Sequence, residues 1–165
     1  MAYVTSGLAG VSLTKLTEGT TTNGAGAEFA LGTRVTATDG SVWQYVQAGA
    51  AITVDSWVAI DENFQAVMGT KALADAGHGV GFAQLAFADN DMGWVCVQAG
   101  GNIDVRVLAS CAADVQLYTS GTAGALDDTS ASQTLIRGVV LVAAATNTAS
   151  TREAIAIYPS ATATA

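Results

Sequence analysis

The sequence predicts a mainly β protein: a small antiparallel β-barrel or sandwich with a duplicated hairpin and an N-terminal arm. Three observations lead there. Short runs rich in Val, Ile, Thr and aromatic residues recur from Gly32 onward between Gly, Asn and Asp turn signals, the spacing of sandwiches and barrels. Two stretches, Trp43-Gln-Tyr-Val-Gln-Ala-Gly-Ala-Ala-Ile-Thr-Val54 and Trp94-Val-Cys-Val-Gln-Ala-Gly-Gly-Asn-Ile-Asp-Val105, match at seven of twelve positions after a shift of 51 residues. Only one short segment reads as helix.

Residues 1–32 form the arm and linker. They are rich in Thr, Gly and Ala, and the run Thr20-Thr-Thr-Asn-Gly-Ala-Gly26 is too polar and flexible to pack by itself. Tyr3, Val4, Leu8, Val11, Leu13 and Leu16 supply apolar anchors with which the arm docks on a partner. Deleting it is expected to leave the β domain, residues 33–159, folded. A C-terminal tail of residues 160–165 follows that domain.

The expected strands are 34–37, 41–48, 52–60, 80–87, 93–99, 103–111, 114–118, 134–144 and 153–158. Asp39-Gly40, Gly49-Ala50, Gly100-Gly101 and Ser120-Gly-Thr-Ala-Gly124 supply the turns between them. In each copy of the repeat an aromatic-led apolar run reaches Gly49 or Gly100 and a β-branched run leads away, which reads as a hairpin. A short helix is expected over 70–76, where Lys-Ala-Leu-Ala-Asp-Ala precedes the stop residue Gly77. The apolar run from Val139 to Ala145 suits a closed or nearly closed barrel, since closure removes edge strands that would invite aggregation.

Composition narrows the function. Hydrophobic residues make up 50% of the 165 and charged residues 12%, about half the usual charged fraction. Part of the surface is therefore expected to lie under partner chains. By strand alternation Trp57 falls on the opposite face from Trp43 and Tyr45, so Trp57 joins the arm residues as a candidate interface position. The net charge is −8, and the six cations are scattered singly. Phosphate binding needs clustered Lys and Arg, so direct nucleic-acid contact and attachment to anionic membranes are both disfavoured. The N-terminus lacks the basic start and long apolar stretch of a secretion signal, and no apolar run approaches the roughly 20 residues that span a bilayer. A soluble protein made in the cytoplasm is expected.

Catalytic and cofactor chemistry finds little material. His78, the sole histidine, sits in Gly77-His-Gly79 and reads as a solvated loop residue. Asp89-Asn-Asp-Met-Gly93 has three oxygen donors before a glycine but lacks the later ligands of a calcium loop, so it reads as a turn. Asp127-Asp128 lies in a Gly/Ala/Ser/Thr loop and reads as solvated. Cys96 and Cys111 read as two buried free thiols, with no Cys-x-x-Cys spacing to suggest zinc or redox work. No catalytic residue, cofactor or metal site is assigned, and the chain reads as a non-enzyme.

The motifs Leu31-Gly-Thr, Asp39-Gly-Ser-Val-Trp-Gln-Tyr-Val-Gln-Ala-Gly49, Gly79-Val-Gly-Phe-Ala83, Asn90-Asp-Met-Gly-Trp-Val95 and Gly121-Thr-Ala-Gly-Ala-Leu-Asp127 resemble small virion proteins of tailed bacteriophages, most closely the capsid decoration, or cement, proteins. The likeness covers most of residues 31–158. Cys96 stands where similar sequences carry Gln. The resemblance implies a non-enzymatic virion protein on the outer capsid surface. It implies contact with the major capsid protein and a homo-oligomer, a trimer being favoured, that stabilises the shell by bridging its subunits. Two alternatives share the composition: another virion component, such as a head-fibre base, tail or adsorption protein, and a carbohydrate-binding β module that stacks sugars on Trp43, Tyr45 or Trp57.

Overall fold

A computed structural model describes residues 10–20 and 24–162. They form two small closed barrels of five strands each, packed side by side.

The first barrel is built from β2 (Val42–Ala48), β3 (Trp57–Ile60), β4 (Gln65–Met68), β5 (Gly79–Phe82) and β6 (Met92–Gln98), in the order β2-β4-β3-β5-β6. It closes where β2 pairs antiparallel with β6, placing Trp43 opposite Cys96 and Tyr45 opposite Trp94. β1 (Arg34–Thr36) lies along the half of β2 that β4 leaves free. The second barrel joins β7 (Asn102–Val107), β8 (Gln116–Thr119), β9 (Leu126–Asp127), β10 (Leu135–Leu141) and β11 (Ser150–Thr162) in the closed order β10-β11-β7-β9-β8. Each barrel carries one parallel pair, β2 with β4 and β7 with β9, so the expected purely antiparallel arrangement is mixed. β11 continues to Thr162, and the boundary expected at residue 160 falls inside a strand.

The repeated stretches are not hairpins. One edge of β2 is taken by β6 and the other by β1 and β4, which leaves no edge for the chain after Gly49 to return to. Ile52 instead bridges Phe87. After Gly100 the chain crosses into the second barrel, where β7 pairs with β11 and β9. The leading strands of the two copies pair with each other. Gly100 permits the crossing because it lies flat on the Asp39 carbonyl, where a Cβ would collide.

Alternation explains the packing. Val46, Val58, Ile60, Ala66 and Val95 fill the first barrel, whose interior is tight enough that a Cβ on Gly81 would press on three of them. The other face of β3, β5 and β6 offers Trp57, Ala59, Val80, Phe82 and Cys96 to the second barrel's core of Val105, Val107, Leu117, Leu126, Ile136, Val139 and Leu141. β3 is thus buried on both faces, which is why Trp-Val-Ala-Ile is apolar throughout. Backbone bonds stitch the seam: Trp57 N–H donates to Gly124 O at 3.1 Å, Arg106 N–H to Asp55 O at 2.7 Å and Ala99 N–H to Ala156 O at 2.8 Å.

The helix α1 (Lys71–Asp75) forms where expected. Thr70 caps it by accepting from Leu73 N–H at 3.4 Å, and Gly77 at φ +80° ends it. Asp75 pairs with Lys71 and accepts from the Thr134 hydroxyl of the second barrel.

Candidate functional site

An open cleft of about 850 Å³ is lined by residues of both barrels. Five separated segments build its walls. The β3–β4 turn brings Asp61, Glu62 and Phe64; β1 and β2 bring Arg34 and Gln44; the α1–β5 turn brings His78; β6 brings Gln98; β11 brings Tyr158 and Pro159.

Each wall has a local cause. Asp61 Oδ1 accepts from the N–H groups of Asn63 at 2.9 Å and Gln65 at 2.8 Å, closing the turn and setting Phe64 at φ +61°. The Phe64 ring lies against Gly32, where a Cβ would strike it. Arg34 Nε donates to Gln44 Oε1 at 3.0 Å, which fixes the base of the guanidinium. Tyr158 sits on a bulge of β11: Val139 is opposite Ala156 but Arg137 is opposite Ser160, so β11 has two more residues than β10 between those pairs. Gly138 at φ +75° lies under the bulge, where any Cβ would run into the Ile157 carbonyl oxygen.

The residues singled out from sequence are scattered relative to this cleft. Tyr3, Val4 and Leu8 lie outside the described residues. Val11 and Leu13 are half-buried on the domain itself, against Tyr45, Met92 and Trp94. Leu16 packs beside Phe87 and Gly93, and Thr17 exchanges two backbone bonds of 2.8 Å with Met92. The described part of the expected arm is therefore a cover over the domain's own core. Phe29 completes it, its ring centroid 5.4 Å from that of Tyr45 and 5.3 Å from that of Trp94.

Trp57, expected on a partner-facing surface, is 1% exposed. The reason is the second barrel, which covers the face that strand alternation assigned to solvent, and Gly69, which lies flat on the indole where a side chain would clash. Burial closes the rings of Trp57 and Tyr45 to sugar stacking. Tyr45 is as buried as Trp57, and Trp43 is half-buried with its Nε1–H donating to Ser41 Oγ at 2.8 Å.

Asp127 and Asp128 do not form a solvated loop. Asp127 ends β9, and its carboxylate, that of Asp128 and the thiol of Cys111 gather with their ligand atoms within 4.8 Å of one another. Every member is already engaged. The thiol donates to Asp127 Oδ1 and Leu108 O at 3.4 Å, Asp127 Oδ1 also accepts from Asp128 N–H, and Asp128 Oδ2 accepts from Ala112 N–H. Burial, with the neighbouring carboxylates, pushes the Cys111 thiol up to about 11, so it stays protonated at neutral pH. Burial raises Cys96 to about 12. The Asp89–Gly93 segment is the turn that was expected: Asp91 Oδ2 accepts from Ala88 N–H at 2.9 Å, and Asn90 takes φ +68°.

Exposed large apolar side chains concentrate on β11, where Ile155 is 40% exposed, Ile157 54% and Tyr158 74%. Among the described residues no helix is long and apolar enough to cross a membrane. No family model matches the chain, and no curated protein matches it.

Proposed function

We propose that this protein is a structural component of a tailed-phage virion that binds the outer surface of the assembled capsid and stabilises it by bridging subunits of the major capsid protein. The observation that carries the reading is the row formed by Ile155 and Ile157 on the outer face of β11, beside half-buried Val140. Ile155 is paired on both edges of β11, with Val140 and Asn102, while Ile157 stands just beyond, in the bulge that β10 skips. Contiguous exposed apolar side chains of this kind mark a face that docks on a partner surface. The low charged fraction and the motif resemblance support the same reading.

Each apolar side chain docked there contributes roughly 1.5–3 kcal/mol before ordering costs. Because attachment requires the assembled shell, binding stabilises that state by mass action, and repetition over many copies multiplies a modest gain. The reading gives Tyr3, Val4 and Leu8 a contact with the capsid or a neighbouring copy, within a homo-oligomer in which a trimer is favoured. No catalytic step enters it.

Incubating the purified protein with expanded, undecorated heads tests the proposal. Wild type is expected to sediment with heads and raise their resistance to heat and osmotic shock, while Ile157→Asp, folded but unable to dock, stays in the supernatant. Wild type that neither sediments nor protects the heads rejects the cementing role. Labelled density at the tail or at sparse fibre positions assigns the chain to another virion part.

A further inference from the structure

The cleft carries an inference independent of the capsid reading: we propose that it is a binding site for a neutral saccharide. Its chemistry is the argument. Among the described residues, no hydrogen bond or ion pair engages the side chains of Glu62, His78 or Gln98, and Arg34 is held only through Nε, which leaves its two Nη groups free. Asp61 uses Oδ1 for its turn and keeps Oδ2. One recess therefore offers pure donors, pure acceptors and groups able to do both. Hydroxyl-rich ligands match that mixture because every hydroxyl both donates and accepts. A simple anion meets two carboxylates against one guanidinium, and a simple cation meets Arg34.

The aromatic residues add a second, independent indication. Among the described residues seven non-glycine residues have positive φ, and five of them are small polar residues, three being Asp or Asn, which adopt that conformation readily. The other two, Phe64 and Tyr158, are bulky aromatics for which it is a true outlier, and both line the cleft. Each such residue costs on the order of 1–2 kcal/mol, and strain of this kind clusters at ligand sites. At Tyr158 the strain does not serve burial, since that residue is 74% exposed; Phe64 is 36% exposed, with its ring against Gly32. Both residues line a recess whose size is that of a small-ligand site, where the apolar C–H face of a sugar would stack on an aromatic ring while its hydroxyls reach the polar walls.

Titration calorimetry and saturation-transfer NMR with malto-, cello-, chito- and mannohexaose, alongside an array of neutral glycans, test the inference, with hexalysine and inorganic phosphate as charged probes. At least one neutral glycan is expected to saturate the protein, with transfer localised to the sugar C–H groups. Tyr158→Asn retains a residue suited to left-handed backbone, so it folds but lacks the ring; it and Arg34→Met should each weaken binding at least tenfold, with Ile157→Asp binding like wild type. Absence of binding to every neutral glycan overturns the proposal. So does binding unchanged in both Tyr158→Asn and Arg34→Met, or saturation by hexalysine or phosphate alone.

Discussion

Phe29→Ala tests whether the segment before β1 belongs to the folded core. The Phe29 ring is half-buried and makes an edge contact with Tyr45 and a tilted contact with Trp94, which themselves meet at 5.0 Å. Aromatic pairs of this geometry contribute about 0.5–1.5 kcal/mol each beyond burial, and losing half of a buried Phe surface removes about 1 kcal/mol more. The expected loss is about 2–4 kcal/mol, a fall in Tm of roughly 4–16 °C for a chain of this size. Urea unfolding followed by tryptophan fluorescence reads both consequences, because uncovering Trp94 also shifts native-state emission to the red. Removing residues 1–30 goes further. It strips the cover from Tyr45, Met92 and Trp94, at roughly 1.5–3 kcal/mol each, a sum comparable with a whole domain's stability of about 5–15 kcal/mol. The truncated chain should lose its cooperative transition. A Phe29→Ala midpoint within about 0.5 kcal/mol of wild type, with unchanged emission, refutes the reasoning and restores the detached arm expected from sequence.

Asp55→Asn should raise stability at neutral pH. Burial raises the Asp55 pKa and repulsion from Asp104 adds to it, against the lowering effect of the Thr151 hydroxyl; a carboxyl with a raised folded pKa destabilises the fold once pH exceeds its unfolded value. The variant's urea midpoint should therefore exceed wild type at pH 7 and converge with it below about pH 3.8, where both side chains are neutral. Gly138→Ala must place its Cβ against the Ile157 carbonyl at φ +75°, so a loss of about 2–4 kcal/mol in urea unfolding is expected, with amide shifts centred on β11. With thiols raised to about 12 and about 11, Cys96 and Cys111 should be thiolate only about once in ten thousand and once in a thousand molecules at pH 8. Iodoacetamide should leave both unmodified in the native state and label both in urea; rapid native labelling contradicts their burial.

The strand segments and α1 were legible because their signals are local. Alternation and flanking turn residues mark β1, β2 and β6, and Thr70 with Gly77 brackets the helix. β4 escaped notice because Gln-Ala-Val-Met is four residues between Phe64 and Gly69, and β9 because it has only two. Pairing was harder to read, since sequence proximity favours a hairpin at Gly49 while the edges of β2 are claimed by strands that come much later or lie beyond the next turn.

Trp57 shows why the partner face was misplaced. Alternation within one strand separates two faces but does not reveal that a second barrel covers the face turned away from the first barrel's interior, and the uninterrupted apolar run Trp-Val-Ala-Ile of β3 carried the hint of double burial. The cleft depends on still longer-range order, because Arg34, Asp61, His78, Gln98 and Tyr158 come from five segments spread over most of the chain. One local signal was available. Gly138 interrupts the strand Leu-Ile-Arg-Gly-Val-Val-Leu, a mark of a bulge, and the chain's single proline follows Tyr158 on the strand opposite. Proline cannot donate to a ladder, so together the two positions identify where β10 and β11 must part, and a ring placed at such a parting is set outward by the backbone and not by a search for burial.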